Sequence, residues 1–188
     1  MVYAVRPLPA PLIAPLPKGV EALQVAVGGR QTLMVLGQRR PAPGDAIQDE
    51  FWYSAQAELL HLQDGRLWRA VGMTTEWREQ RSHAPAWADV PADGQAVVWR
   101  RKVNRMPGYR WEEEDRVSTR RLLQAPADKA TQWPQAQWFV DEVLTHNAAG
   151  GRWQHAQRFA VLQGQVVYSE QCIAPDLCLM LTRIAPQK

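Results

Sequence analysis

The chain has 188 residues, 46% of them hydrophobic, with a net charge of +3 and a pI near 9.1. That length supports one domain with a sizeable core. The balance excludes a membrane-spanning helix, which needs about 20 continuous apolar residues, and lacks the dense cationic face of a dedicated nucleic-acid binder.

Pro7, Pro9, Pro11, Pro15 and Pro17 stiffen the start of the chain. Proline fixes φ and removes a donor. Residues 1–18 therefore read as a tether ahead of a single β-rich domain over residues 19–188, or as an edge segment lying over that domain. They lack the basic and apolar regions of a signal peptide.

Leu23–Val27 and Thr32–Leu36 flank Gly28-Gly29, a hairpin signal because such turns need positive φ. Phe51–Ser54 starts a second group, and Glu58–Leu62 and Arg66–Val71 flank the hairpin turn Asp64-Gly65. Thr75 is placed to cap a short helix running through Arg81. Pro85, Pro91 and Gly94 mark the following stretch as loop. Strand pattern returns at Ala96–Arg100 and in the polar segment Tyr109–Leu123, where alternation puts Trp111, Val117, Thr119 and Leu123 on one face. Gln157–Leu162, Gln165–Ser169 and Leu179–Ile184 complete the set, with Phe159, Val161 and Val167 expected to pack inward. Many short strands at regular spacing predict a mostly β, antiparallel, barrel- or sandwich-like domain with few short helices.

The order and spacing of several segments carry a family resemblance. They are Trp52-Tyr53-Ser54, Leu59-Leu60, Gly65-Arg66-Leu67, Val71-Gly72-Met73, Trp99-Arg100-Arg101, Val117–Arg121, Trp153 and Arg158-Phe159. Gly164-Gln165-Val166 and Ser169-Glu170-Gln171 close the series. In these the chain resembles the YjbF/GfcB-like family of exopolysaccharide and group-four capsule lipoproteins. The resemblance implies a barrel-like periplasmic domain, anchored to the outer membrane by an N-terminal lipid. It also implies a non-enzymatic role in producing or exporting an extracellular polysaccharide. Partners would be the polysaccharide, outer-membrane secretion proteins, or both. The sequence departs from the family in having no signal peptide and no early Cys, so membrane attachment is expected only through a lipid anchor that this chain lacks.

No catalytic residues, cofactor or metal are expected. Cys172 and Cys178 flank the turn Pro175-Asp176. They are placed either to close a small disulfide in an oxidising compartment or to remain buried free thiols. Glu112, Glu113, Glu114 and Asp115 lie among arginines and read as a solvated strand. The rival reading is a polysaccharide-modifying, glycosidase-like enzyme using these carboxylates. Trp77 and Trp87, with Arg78 and Arg81 beside them, fall in the irregular segment, where loops often carry function. They are the expected exposed contacts for an anionic glycan or a partner, against the plainer reading of indoles as core fillers. Trp52, Trp99 and Trp153 read as structural. The long strand 109–123 is a candidate edge for partner-strand addition.

Overall fold

The computed structural model describes residues 16–41, 48–82, 84–146 and 151–186, excepting the side chains of residues 81 and 82. Most of the proline-rich lead-in and His83 lie outside the described residues. Twelve antiparallel strands form a closed meander barrel. They are β1 (Ala22–Val27), β2 (Arg30–Pro41), β3 (Gln48–Ser54), β4 (Leu59–Gln63), β5 (Arg66–Val71) and β6 (Glu76–Ser82). The second half comprises β7 (Val97–Met106), β8 (Arg110–Arg121), β9 (Gln137–His146), β10 (Arg152–Leu162), β11 (Gln165–Ala174) and β12 (Leu177–Ile184). β1 pairs with β12, Ala22 opposite Ile184, which closes the sheet. The described chain therefore enters and leaves at the same end of the barrel, here called the entry end.

The strands depart from the sequence expectations in three places. The segment after Thr75 is strand β6, not a helix: Trp77 and Glu79 are buried while Glu76, Arg78 and Gln80 are exposed, a period of two. Closure leaves β8 paired to both β7 and β9, so it offers no free edge. Strand β9 has no counterpart in the sequence reading.

A twelve-stranded barrel is wider than side chains fill in a round section, since about eight strands already give a filled interior. Contacts across the lumen flatten this one. Gln171 on β11 accepts a hydrogen bond from the Leu67 backbone N–H at 2.7 Å and donates to the Gly65 carbonyl at 2.9 Å. A bulge between Cys172 and Ala174 takes Ile173 out of the ladder, and its carbonyl accepts Arg105 Nε at 2.8 Å. Apolar side chains including Leu23, Met34, Trp52, Leu60, Trp77, Ile173 and Leu179 fill one part of the interior.

The entry end is stoppered. The β6–β7 connection folds inward through a 3-10 turn at Trp87–Asp89. Trp87 packs on Phe139 and Phe159 at centroid distances of 5.0 and 4.9 Å and donates its indole N–H to the Asp64 carbonyl. Outside the wall, the β8–β9 connection folds back so that Leu122 and Trp133 cover Trp138 and Tyr168. Val167 joins this cluster rather than the interior, because a register shift makes it the extra residue opposite Ala160 and Val161. Phe159 and Val161 are buried in the Trp87 cluster.

Cys172 and Cys178 stand directly opposite each other across β11 and β12 and are disulfide-bonded.

Gly65 is where the flattening is tightest. Its φ is +76°, and a Cβ there would lie 2.3 Å from Val166 Cγ2. Gly65→Ala is expected to lower unfolding free energy by about 2–4 kcal/mol, combining backbone strain with overpacking. Urea denaturation measures this, and Val166→Ala in the same chain is expected to recover part of the loss. An unchanged midpoint for the single variant would contradict the close approach.

Candidate functional site

Alternation along β7, β8 and β9 turns Arg101, Arg105, Glu113, Asp115, Thr119, Asp141 and Thr145 into the barrel, where all are buried. The interior of this half is thus ionic. Arg101 Nε donates to Asp115 Oδ2 at 2.9 Å, and Arg101 Nη1 lies 3.5 Å from Glu79 Oε2. Arg105 pairs with Glu113 and lies 3.8 Å from Asp115. The Thr145 hydroxyl donates to Asp115 Oδ1 at 2.7 Å. A second chain runs from the Trp99 indole N–H to Thr119 Oγ1, from that hydroxyl to Asp141 Oδ1, and from Arg66 Nε to Asp141 Oδ2. The Arg66 guanidinium lies 3.5 Å from the Trp87 ring centroid, a cation–π contact tying this network to the stopper.

Burial alone pushes the Asp115 carboxyl up, but Arg101 and Arg105 outweigh it and hold Asp115 below the usual carboxylate range. Burial pulls the Arg101 guanidinium down, and Asp115 and Glu79 more than offset that. His155, stacked on Trp153 at 3.9 Å, is pushed down to about 4 by burial and by Arg101. These groups keep fixed charge states near neutrality, the opposite of what proton transfer requires.

The acidic run is therefore only half as expected. Glu112 is exposed and Glu114 half-buried, both on the outer face, and they pair with Lys102 and Arg100. Glu113 and Asp115 face inward as ion-pair partners, because β8 alternates and its inner face meets the arginines of β7.

The predicted indole contacts are also corrected. Trp77 is 2% exposed and sits in the apolar core with Arg101 5.1 Å from its ring centroid. Trp87 is 6% exposed and forms the stopper. Arg78 is exposed on the outer face. Arg81 pairs through its backbone with Lys102, and its side chain lies outside the described residues. Trp52 and Trp99 are buried, and Trp153 is half-buried.

The exposed indole is Trp111, 57% exposed. A register shift between Val103 and Arg105 disrupts the β7–β8 ladder, the Glu112 N–H bonds Asn104 Oδ1 at 2.8 Å, and Glu112 takes φ +50°. This irregularity breaks the alternation that would place Trp111 with Val117 and Thr119. Trp111 instead borders an outer depression of about 150 Å³ with Arg69, Arg78, Glu76, Asn104 and Met106. The depression lies at the shortest seam of the barrel, where β5 and β6 pair only through Arg69–Arg78 and Ala70–Trp77.

A second recess, about 380 Å³, opens at the entry end between Gln48, Glu50, Asp64, Gln163, Gln165 and Arg183. Arg183 and Arg39 both bind Glu50 and Glu21, which clamps β1, β2, β3 and β12 together. Burial pushes the Asp64 carboxyl up to about 6, with Arg66 opposing and Glu50 reinforcing. Among the described residues, no group of His, Cys, Asp and Glu is arranged to hold a metal ion.

The family model described as group 4 capsule polysaccharide lipoprotein GfcB, YjbF, matches residues 13–184. The chain belongs to the YjbF family. No curated protein sequence matches it. Among solved structures, it is similar to the hypothetical lipoprotein YmcC from Escherichia coli K12, with a TM-score of 0.69 and 15% identity over 94% of this chain and 92% of that one. At that identity the likeness speaks to the fold. The family ties the chain to the capsule-polysaccharide lipoproteins of the cell envelope.

For this YjbF-family barrel the ionic interior is decisive for stability. Asp115→Asn leaves Arg101 and Arg105 short of a buried counter-charge and is expected to cost about 3 kcal/mol or more. Adding Arg101→Met is expected to cost less than the sum of the two single changes. The folded-state pKa of Asp115 lies below its ordinary value of 3.8. Its contribution is therefore complete above that value and lost as pH falls through the depressed folded value. Urea midpoints for wild type and Asp115→Asn should differ by a constant amount above the ordinary value of 3.8 and draw together only as pH is taken below it. A gap that narrows well above that value, or that is absent at pH 7, would contradict the pairing.

Proposed function

We propose that the protein is a non-enzymatic accessory factor for production or export of a capsular or other extracellular polysaccharide. It acts in the periplasm by binding the glycan, an outer-membrane secretion protein, or both, and reaches the membrane only through a lipid anchor. The observation that carries this reading is the state of the buried carboxylates. Glu113 and Asp115, the inward-facing acids of the acidic run, are each held by an arginine, and Asp115 is kept ionised. A glycosidase acid needs a carboxyl held protonated near a second carboxylate with room for sugar between them. The interior between these acids is occupied by the arginines themselves.

The outward face supports binding from solution. Arg100–Glu114, Arg120–Glu142 and Arg158–Glu170 lie on the outside of β7 to β11. A lipid-facing barrel presents an apolar band there instead.

One observation favours the enzymatic alternative, and it moves the reaction away from Glu112–Asp115. Asp64, raised to about 6, shares the entry-end recess with Glu50. Glu50 is held by Arg39 and Arg183, which leaves it unsuited as a partner base.

The test is turnover. Purified protein incubated with capsular polysaccharide is expected to release no reducing ends above a heat-treated control. Release that persists in Glu113→Gln and disappears in Asp64→Asn would replace this reading with the enzymatic one.

A further inference from the structure

We propose that the outer depression at the β5–β6 seam is a binding site for an acidic polysaccharide, with Trp111 as the stacking platform and Arg69 and Arg78 as the charge contacts. This rests on the glycan-binding arm of the proposed function and names its site and ligand class.

Two cations repel each other at this seam. Arg69 and Arg78 stand directly opposite each other on adjacent strands, on the outer face, and both are exposed. Like charges in that relation destabilise a sheet. Among the described residues neither arginine makes a salt bridge; nor does Arg116, but the arginine opposite it, Arg100, has its charge offset by Glu114. An anion between the two guanidiniums would relieve the repulsion and take charge-assisted hydrogen bonds from both.

The second observation is Trp111. It is the one indole among the described residues that is mostly exposed, and it borders the same depression. The local break in the β7–β8 ladder presents it there. A flat indole beside two cations matches a sugar ring carrying a carboxylate: the apolar C–H face of the ring lies on the indole, and the carboxylate reaches the guanidiniums. Asn104 and Glu76 at the margin suit hydroxyl groups. The depression is open and shallow, as a site for an internal stretch of a long chain must be. An acidic peptide fits less well, since it gains most by adding a strand to a free sheet edge, and every described strand of the closed barrel has a neighbour on both sides.

The experiment is calorimetric titration of the intact protein with polygalacturonate oligosaccharides, with dextran oligosaccharides and a poly-glutamate peptide of matched length as comparisons. Polygalacturonate is expected to bind, weakening as salt rises, and dextran is not. Trp111→Ala and the double change Arg69→Gln with Arg78→Gln should each raise Kd about tenfold or more, the loss typical of a charge-assisted or fully stacked contact. The double variant should melt no lower than wild type, because it removes a repulsion. Four results would overturn the site: no binding of polygalacturonate by wild type, unchanged Kd in both variants, equal binding of dextran, or tighter binding of poly-glutamate. Each leaves the absence of turnover to be judged by its own assay, so failure of the site and failure of the non-enzymatic reading are distinguishable.

Discussion

The buried pair of Arg101 and Asp115 is the constraint on which the rest of this barrel depends. Twelve strands enclose more space than apolar side chains readily fill. The chain fills part of that space with charge, at a desolvation cost recovered only if each ion is paired and hydrogen-bonded. Asp115 meets Arg101, Arg105 and Thr145 together. The network links β6, β7, β8 and β9, and through Arg105 and the Ile173 carbonyl it reaches across to β11. The lumen is therefore a strut, and its ionisable groups are committed to structure.

That commitment directs function to the surface. At the entry end Trp87 closes the lumen, and Glu50 and Arg183 of the Glu21–Arg39–Glu50–Arg183 clamp wall the recess. Any tether preceding residue 16 joins the barrel there, because β1 and β12 close the sheet with Ala22 beside Ile184. The seam bearing Trp111, Arg69 and Arg78 lies on the side wall toward the opposite end, beside the β5–β6 and β7–β8 turns. A polymer running along the wall would meet it without passing the entry end.

How much was legible from sequence follows from how local each signal is. The hairpins at Gly28-Gly29 and Asp64-Gly65 were readable because turn geometry requires particular residues at adjacent positions. The antiparallel β class followed from strand spacing. Strand β9 was not legible, because Asp141 and Thr145 face a polar interior and erase the apolar alternation that marks a strand. Strand β6 was mistaken for a helix because Thr75 offers a cap signal, while Glu79 occupies an inward position that an apolar residue would normally hold. The alternation of the acidic run was readable. Which face it buried was not, since that depends on Arg101 and Arg105 arriving from β7. For the indoles, position in an irregular segment was a poor guide: Trp77 and Trp87 are drawn inside, and Trp111 is turned out by an interruption that depends on Asn104 pairing with Glu112. Of the candidate contacts, Arg78 is exposed in the seam, and Trp77 lines it from a buried position.

The central claim is a barrel whose interior is structural and whose ligand is met on the wall. The most direct measurement is amide hydrogen exchange with and without saturating polygalacturonate oligosaccharide. The account predicts added protection confined to the β5–β6 seam and the β7–β8 turn, with the slowly exchanging amides of β8 and β9 around Asp115 and Asp141 unchanged. Protection centred on the entry-end recess around Asp64 and Gln163, or exchange changes running through the lumen strands, would contradict it.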